Sequence, residues 1–265
     1  MQTIRDSGGA APIAPLRRDE AHVWYAWTEQ CAKEGLLDVY STLLDDFERE
    51  RLRRLAFEHL RVEYLVTRAL CRLTLSRYAP IAPAAWAFRC NAYGRPEIDV
   101  PGAPQGLRFN MSNVRSMVAC VVTLDADAGI DVEETDRSGE TLSIANHYFA
   151  PSEVRDLSAL PESDRRRRFF EYWTLKESYI KARGMGLSIP LEQFAFAIDD
   201  GSIRISLDSR LGDNEAQWQF ALRAPSERHL LAVGVLRAGS GHVQLHVNEV
   251  LPQPGMPWIG VACDC

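Results

Sequence analysis

SMVACVVTLDADAGIDVE, residues 116–133, joins two kinds of strand through a short turn. Ser116 to Leu124 is almost continuously apolar, the pattern of a strand covered on both faces. After a turn over 125–128, Gly129 to Glu133 alternates, so Asp131 and Glu133 point to one face while Ile130 and Val132 point to the other. Two carboxylates about 6–7 Å apart on one strand face can share a hard cation. The alternative is a half-buried strand with a wet acidic edge, continued by Glu134 and Asp136. The change of pattern puts a boundary between two units near Asp125.

Working outward, residues 1–20 are rich in Ala, Pro and Gly and read as a flexible leader. A β-branched and aromatic strand is predicted over 21–27. From Leu43 to about Tyr78, Leu52, Leu55, Leu60, Tyr64, Leu65, Leu70 and Leu73 recur at helical spacing, and Pro80 and Pro83 end the run. Strands are predicted at 86–89, 109–111 and 116–124, the first followed by the turn Asn91-Ala92-Tyr93-Gly94-Arg95-Pro96. Beyond Asp125 come a helix over 142–149, a second starting at Pro151, and the strongest from about Asp164 to Arg183, stopped by Gly184. Strands follow near 194–198, 202–207, 218–222 and 230–235. The order lacks the strand–helix alternation of a doubly wound sheet. The expected class is α+β, with a leader at 1–20, an N-terminal lobe at 21–124, a C-terminal lobe at 125–250 and an irregular tail at 251–265.

Composition sets broad limits. With 46 % apolar and 25 % charged residues the 265-residue chain reads as a soluble globular protein. A net charge of −6 argues against broad attraction to nucleic acid or to an anionic membrane. The longest strongly apolar stretch, 117–124, is far short of a membrane span, and the N-terminus lacks the apolar core of a signal peptide. A cytoplasmic location is expected. The six cysteines contain no C-x-x-C pair and read as reduced thiols, including Cys263 and Cys265 in the tail. The histidines are isolated along the chain and suggest no catalytic dyad.

On the long helix, Phe169, Phe170, Trp173 and Ile180 mark a buried stripe, and Glu177 lies one turn beyond Trp173 on nearly the same face. A carboxylate beside large aromatics must find a partner or lose its charge. Lys181, four residues on, makes an ordinary helix ion pair one reading. A third metal ligand at Glu177 with a phosphate-binding Lys181 is the other.

Gly129-Ile130-Asp131-Val132-Glu133, followed 44 residues after Glu133 by Glu177 within Trp173-Thr174-Leu175-Lys176-Glu177-Ser178-Tyr179-Ile180-Lys181, resembles the signature pair of 4′-phosphopantetheinyl transferases. Gly184-Met185-Gly186-Leu187-Ser188-Ile189-Pro190-Leu191 looks like the family's sequel, and the likeness spans roughly Phe47 to Leu191. The chain length fits the larger, monomeric, pseudo-duplicated Sfp-type branch rather than the half-length trimeric synthases. The resemblance implies two similar lobes, each a small antiparallel sheet packed with helices, with the active site at their interface.

It further implies transfer of the 4′-phosphopantetheine of coenzyme A to a serine of an apo acyl or peptidyl carrier protein, releasing adenosine 3′,5′-bisphosphate. Asp131, Glu133 and Glu177 would hold Mg2+, and Lys181 would contact the phosphates. Arg61, Gly94, Arg95, Pro96, Ser112 and Asn113 would join Asp131 and Lys181 in binding the coenzyme. Glu177 would be the general base, directly or through a metal-bound water. Two departures stand out: Asn113 replaces the family's usual histidine, and Arg95 its usual lysine, exchanging a point charge for a planar fork. The four-arginine run 165–168 reads as a solvated face, with docking of an acidic carrier as the alternative. A Mg2+-dependent phosphodiesterase and a coenzyme A or nucleotide sensor without transferase activity are the rival functions.

Overall fold

The computed structural model describes residues 15–254 except 140, 200, 201, 238 and 240, together with 261–262. Strand β1 (Glu20–Trp27) leads into helices α1 (Thr28–Lys33), α2 (Leu37–Thr42), α3 (Asp46–Arg54) and α4 (Glu58–Leu75). A hairpin of β2 (Phe88–Cys90) and β3 (Pro96–Ile98) follows, then β4 (Leu107–Asn113), β5 (Met117–Leu124) and β6 (Ala128–Glu134). Helices α5 (Thr141–Tyr148), α6 (Pro151–Ala159) and α7 (Glu162–Arg183) precede β7 (Phe194–Asp199), β8 (Ser202–Leu207), β9 (Trp218–Ser226) and β10 (His229–Leu236). The chain ends with β11 (Gln244–Glu249) and β12 (Val261–Ala262).

Among the described residues the two larger sheets have the orders β12-β11-β1-β5-β4 and β6-β10-β9. Their faces sort the cores. Val118, Cys120 and Val122 of β5 pack with Trp24 and the α4 residues Val66, Ala69 and Leu70. The alternate residues Met117, Ala119 and Val121 pack with Ile130 and Val132 of β6 and with Leu231 and Val233 of β10. On the far face of the second sheet, Leu230 and Ala232 meet Phe170, Leu175 and Tyr179 of α7. The order is therefore helices, sheet, sheet, helices. The apolar run 117–124 is the layer that is covered twice, as its composition requires.

Three expectations change in detail. The helical run from Leu43 starts instead at Asp46, behind a capping box of Asp45 and Glu48, and breaks into α3 and α4 where Leu55 and Phe57 turn extended. The Trp86–Arg89 strand begins only at Phe88, after a short 3-10 turn over Pro83–Ala85. The stretch 244–249, expected in the C-terminal lobe, forms β11, which pairs parallel with β1 in the first sheet. Parallel pairing needs a long crossover, and here nearly the whole chain supplies it. Of the tail, residues 255–260 and 263–265, with Cys263 and Cys265, lie outside the described residues, as do residues 1–14 of the leader. Among the described residues no helix is long and apolar enough to cross a membrane.

Helix α7 is buried on more sides than one stripe allows: Tyr172, Thr174, Leu175, Lys176, Ser178, Tyr179, Ile180 and Ala182 are all buried. It lies so close to β6 that a Cβ on Gly129 would sit 2.1 Å from the Ser178 carbonyl oxygen and 2.3 Å from the Ala182 nitrogen. Gly129 pairs across the ladder with Gly234, also beneath Ser178. Gly129→Ala must therefore move helix backbone rather than a flexible side chain. It is expected to cost about 2–3 kcal/mol, read by chemical denaturation. A variant of unchanged stability would refute the contact.

Candidate active site at the seam of the two sheets

Strands β4 and β6 belong to different sheets, yet side chains of one bind the backbone of the other. Asn110 Oδ1 accepts from the Ile130 N–H at 3.0 Å, and Ser112 Oγ from the Val132 N–H at 3.3 Å. This stitching brings Ser112 to Asp131, where its hydroxyl donates to Oδ1 at 2.9 Å. Helix α7 completes the group: Lys181 Nζ lies 2.7 Å from both Ser112 Oγ and Asp131 Oδ1.

Asp131 and Glu133 are not on a wet edge; both are buried against α7, at 5 % and 6 % exposure. Asp131 Oδ2 and Glu133 Oε2 are buried without a hydrogen-bond partner, though Arg137 Nη1 approaches Glu133 Oε2 at 3.1 Å. Burial, then the Asp131 charge, pushes the Glu133 carboxyl up to about 7 against the opposing pull of Arg137 and Lys181. Glu177 is raised for the same first two reasons, with Lys181 opposing. The oxygens of the three acids do not all lie within 4.8 Å of one another, because Asp131 turns to Lys181 and Glu133 to Arg137.

In the protein without a divalent cation, folded Glu133 keeps its proton until about pH 7, whereas the unfolded side chain loses it near 4.5. Folding then takes up a proton between those values, so this contribution is full below pH 4.5 and lost as pH rises to about 7. Urea denaturation in EDTA should show stability falling across that window, and Glu133→Gln should flatten the slope. A slope of opposite sign that Glu133→Gln leaves unchanged would contradict the assignment.

Beside these acids a cleft of about 260 Å³ is lined by Tyr93, Gly94, Arg95, Pro96, Asn110, Met111, Glu177 and Lys181. Its turn is docked on the C-terminus of α7: Asn91 Nδ2 donates to the Gly184 carbonyl at 3.0 Å and Arg95 Nη1 to the Ala182 carbonyl at 3.0 Å. Gly184 caps α7 at φ +62°, and a Cβ there would strike the Arg95 guanidinium at 2.7 Å. Gly94, Pro96, Asn110 and Met111 also border a second depression of about 340 Å³, whose wall includes Arg51, Tyr64, Arg68 and Asn113.

Residues 127–234, which hold the acids and the whole of α7, match the family model described as the 4′-phosphopantetheinyl transferase superfamily. The 4′-phosphopantetheinyl transferase HetI of Nostoc sp. is 32 % identical over 187 residues, 71 % of this chain and 78 % of that protein. The chain belongs to the 4′-phosphopantetheinyl transferase superfamily. A 4′-phosphopantetheinyl transferase of Bacillus subtilis is 34 % identical over 161 residues, 60 % of this chain and 69 % of its own length. Sfp of Bacillus subtilis is 31 % identical over 170 residues, 63 % of this chain and 73 % of its own length.

In this transferase the structure gathers Gly94, Arg95, Pro96, Ser112, Asp131, Glu133, Glu177 and Lys181 at one seam. Arg95 is partly committed, since Asp127 and Glu97 each stand 3.5 Å from its guanidinium in addition to the Ala182 bond. Asn113 is exposed and donates to Glu63 on α4. Arg61 sits apart, exposed in the first turn of α4 and donating to the Leu55 carbonyl at 2.7 Å. The cations lining the adjoining depression are Arg68, two turns further along the same helix face, and Arg51 on α3. A seven-residue spacing leaves periodicity unable to choose between Arg61 and Arg68. Nothing in the sequence pattern pointed to Arg51, Asn110 or Met111. Arginines 165–168 are largely spent within the chain: Arg165 on the Leu160 carbonyl, Arg166 on the Thr135 carbonyl, and Arg167 and Arg168 on Glu171.

Proposed function

We propose that the chain transfers the 4′-phosphopantetheine of coenzyme A to a serine of an apo acyl or peptidyl carrier protein, releasing adenosine 3′,5′-bisphosphate. The observation that carries this reading is the meeting of Ser112, Asp131, Glu133, Glu177 and Lys181 beside a cleft roofed by the 93–96 turn. A hard divalent cation fits the acids. Asp131 Oδ2 and Glu133 Oε2 are buried without hydrogen bonds, the donors are all oxygen, and burial, then the Asp131 charge, pushes Glu133 and Glu177 toward protonation. Asp131, Glu133 and Glu177 would hold Mg2+, whose charge, when bound, offsets that of the pyrophosphate.

The remaining work falls to side chains. Lys181, oriented by Ser112 and Asp131, faces the phosphates as a fixed cation. Arg51 and Arg68 offer further positive charge where the cleft widens, a place for the coenzyme's remaining phosphate. Glu177 takes the proton of the carrier hydroxyl, directly or through a water that the metal would hold. The serine oxygen forms its bond to the β-phosphorus as the bond from that phosphorus to the bridging oxygen breaks. The electron pair leaves on adenosine 3′,5′-bisphosphate. The unpaired thiols Cys31, Cys71, Cys90 and Cys120 are in keeping with the cytoplasm.

Incubation with coenzyme A, Mg2+ and a panel of apo-carriers, read by intact-protein mass, tests the reading. One phosphopantetheinyl unit should appear on a carrier, with loss of activity in EDTA. Release of free 4′-phosphopantetheine without an acceptor would make the protein a phosphodiesterase instead. Coenzyme binding without a mass gain on any carrier would make it a sensor.

A further inference from the structure

The histidines that are isolated along the sequence are not isolated in the fold. His22 on β1 and His246 on β11 are direct neighbours in the parallel ladder, their rings 5.0 Å apart and edge to face. Glu20 stands two residues from His22 on the same strand face. One ligand atom from each of the three lies within 4.8 Å of the others. His22 Nε2 is 3.4 Å from Glu20 Oε2, and His246 Nε2 is 3.9 Å from Glu20 Oε1. Two donors bound tetrahedrally at about 2.0–2.1 Å stand roughly 3.3 Å apart, so small rotamer changes close this group on an ion.

We propose that Glu20, His22 and His246 form a second metal site, for a zinc-class transition-metal ion, which ties the first strand, β1, to its parallel neighbour β11 near the other end of the chain. His246 Nε2 is a buried nitrogen with no hydrogen-bond partner. His22 is already held for ligation. Its Nδ1 meets the Tyr78 hydroxyl at 2.9 Å, and the Trp24 indole N–H donates to the same oxygen at 2.8 Å. With the proton on Nδ1, donated to the Tyr78 oxygen, the Nε2 lone pair is left for the metal, the outer-shell arrangement of many metal-bound histidines. Glu20 is oriented by the Arg17 backbone N–H on Oε2 at 3.1 Å and by the Arg17 guanidinium 3.4 Å from Oε1. Two imidazoles and one carboxylate suit zinc, cobalt or nickel rather than magnesium, and three protein ligands leave a fourth position for water.

The site is distinct from the seam. His22 lies on the face of the first sheet that carries Trp24 and packs on α4, whereas Asp131 and Glu133 face α7 from the second sheet. The inter-sheet core separates the two faces. An ion here joins residues more than 220 positions apart (22 and 246), so binding restrains the long loop between them.

The test uses the whole chain stripped with EDTA and then titrated with zinc in excess Mg2+, followed by calorimetry and thermal melting. One zinc per chain should bind without displacement by magnesium, raising Tm by about 5 °C at a hundredfold excess over Kd. His22→Gln and His246→Gln should each weaken zinc at least about a hundredfold and abolish the shift while leaving carrier labelling intact. Asp131→Asn should retain zinc. Zinc binding unchanged in the histidine variants, or lost in Asp131→Asn, overturns the proposal, as does the absence of zinc binding. Should a histidine variant fail to fold, Glu20→Gln and the visible spectrum of the cobalt-loaded unmutated protein decide. Tetrahedral bands that weaken in Glu20→Gln support the site, and their absence from the unmutated protein refutes it.

Discussion

Glu177→Gln should lower carrier labelling by about a thousandfold or more while the fold melts no earlier than the unmutated protein. The carboxylate sits on α7 beside buried Asp131 and Lys181, where burial and the Asp131 charge push its proton affinity up. A charge held against such a shift costs folding free energy at neutral pH, so an uncharged isostere should leave stability equal or slightly higher. Under the proposed mechanism the same substitution removes the proton acceptor and leaves a neutral amide in place of one of the three carboxylates at the seam. A thousandfold corresponds to about 4 kcal/mol of activation free energy, in line with removing one strong electrostatic contribution from a preorganised site. The loss should appear in kcat, with coenzyme binding reduced much less. Intact-mass time courses, a thermal melt and coenzyme calorimetry separate these effects. Labelling at the unmutated rate would remove Glu177 from the mechanism.

Its neighbour in sequence is expected to behave oppositely. Lys176 is 1 % exposed, with Nζ 2.8 Å from Glu153 Oε2 and donating to the Leu191 and Phe194 carbonyls at 2.8 and 2.6 Å. Glu153 in turn accepts from the Phe196 and Ala150 N–H groups at 2.9 and 3.0 Å. Burial drives Glu153 up and Lys176 down, and each charge opposes the other's shift. Lys176→Met would leave a buried carboxylate and two carbonyls without their cation, at a cost of about 3–5 kcal/mol. For a chain of this size Tm should fall by roughly 10 °C. Adding Glu153→Gln should recover part of the loss, since the amide oxygen still accepts a backbone N–H. Equal stability of the single variant and the unmutated protein would show that the pair does not hold α6 and the β7 approach to α7.

These adjacent residues show where sequence reading reaches its limit. Trp173 to Lys181 marks a helix with chemistry on it, yet spacing alone does not tell that Lys176 turns inward to Glu153 while Glu177 and Lys181 line the cleft. The doubly covered strand β5 and the alternating β6 were legible because burial on two faces or one leaves a composition pattern within a few residues. The burial of Asp131 and Glu133 was not, since an acidic strand face looks the same whether water or a helix covers it. The cover is α7, admitted to close range by Gly129. Arg61 and Arg68 share a helical face, and only the neighbouring α3 and β4 determine which of them faces the depression.

What the sequence determined by itself is what short-range patterning encodes: the α+β class, the strand and helix order, and the acidic pair Asp131 and Glu133 on one strand face with Glu177 and Lys181 one turn apart on a helix. Only the tertiary structure decided which distant segments meet. Parallel pairing of β11 with β1, the contact of Ser112 with Lys181 and the approach of His22 to His246 join residues from 69 to more than 220 positions apart. Such contacts follow from how whole layers stack to bury their apolar faces, a condition on the entire chain that no local stretch records.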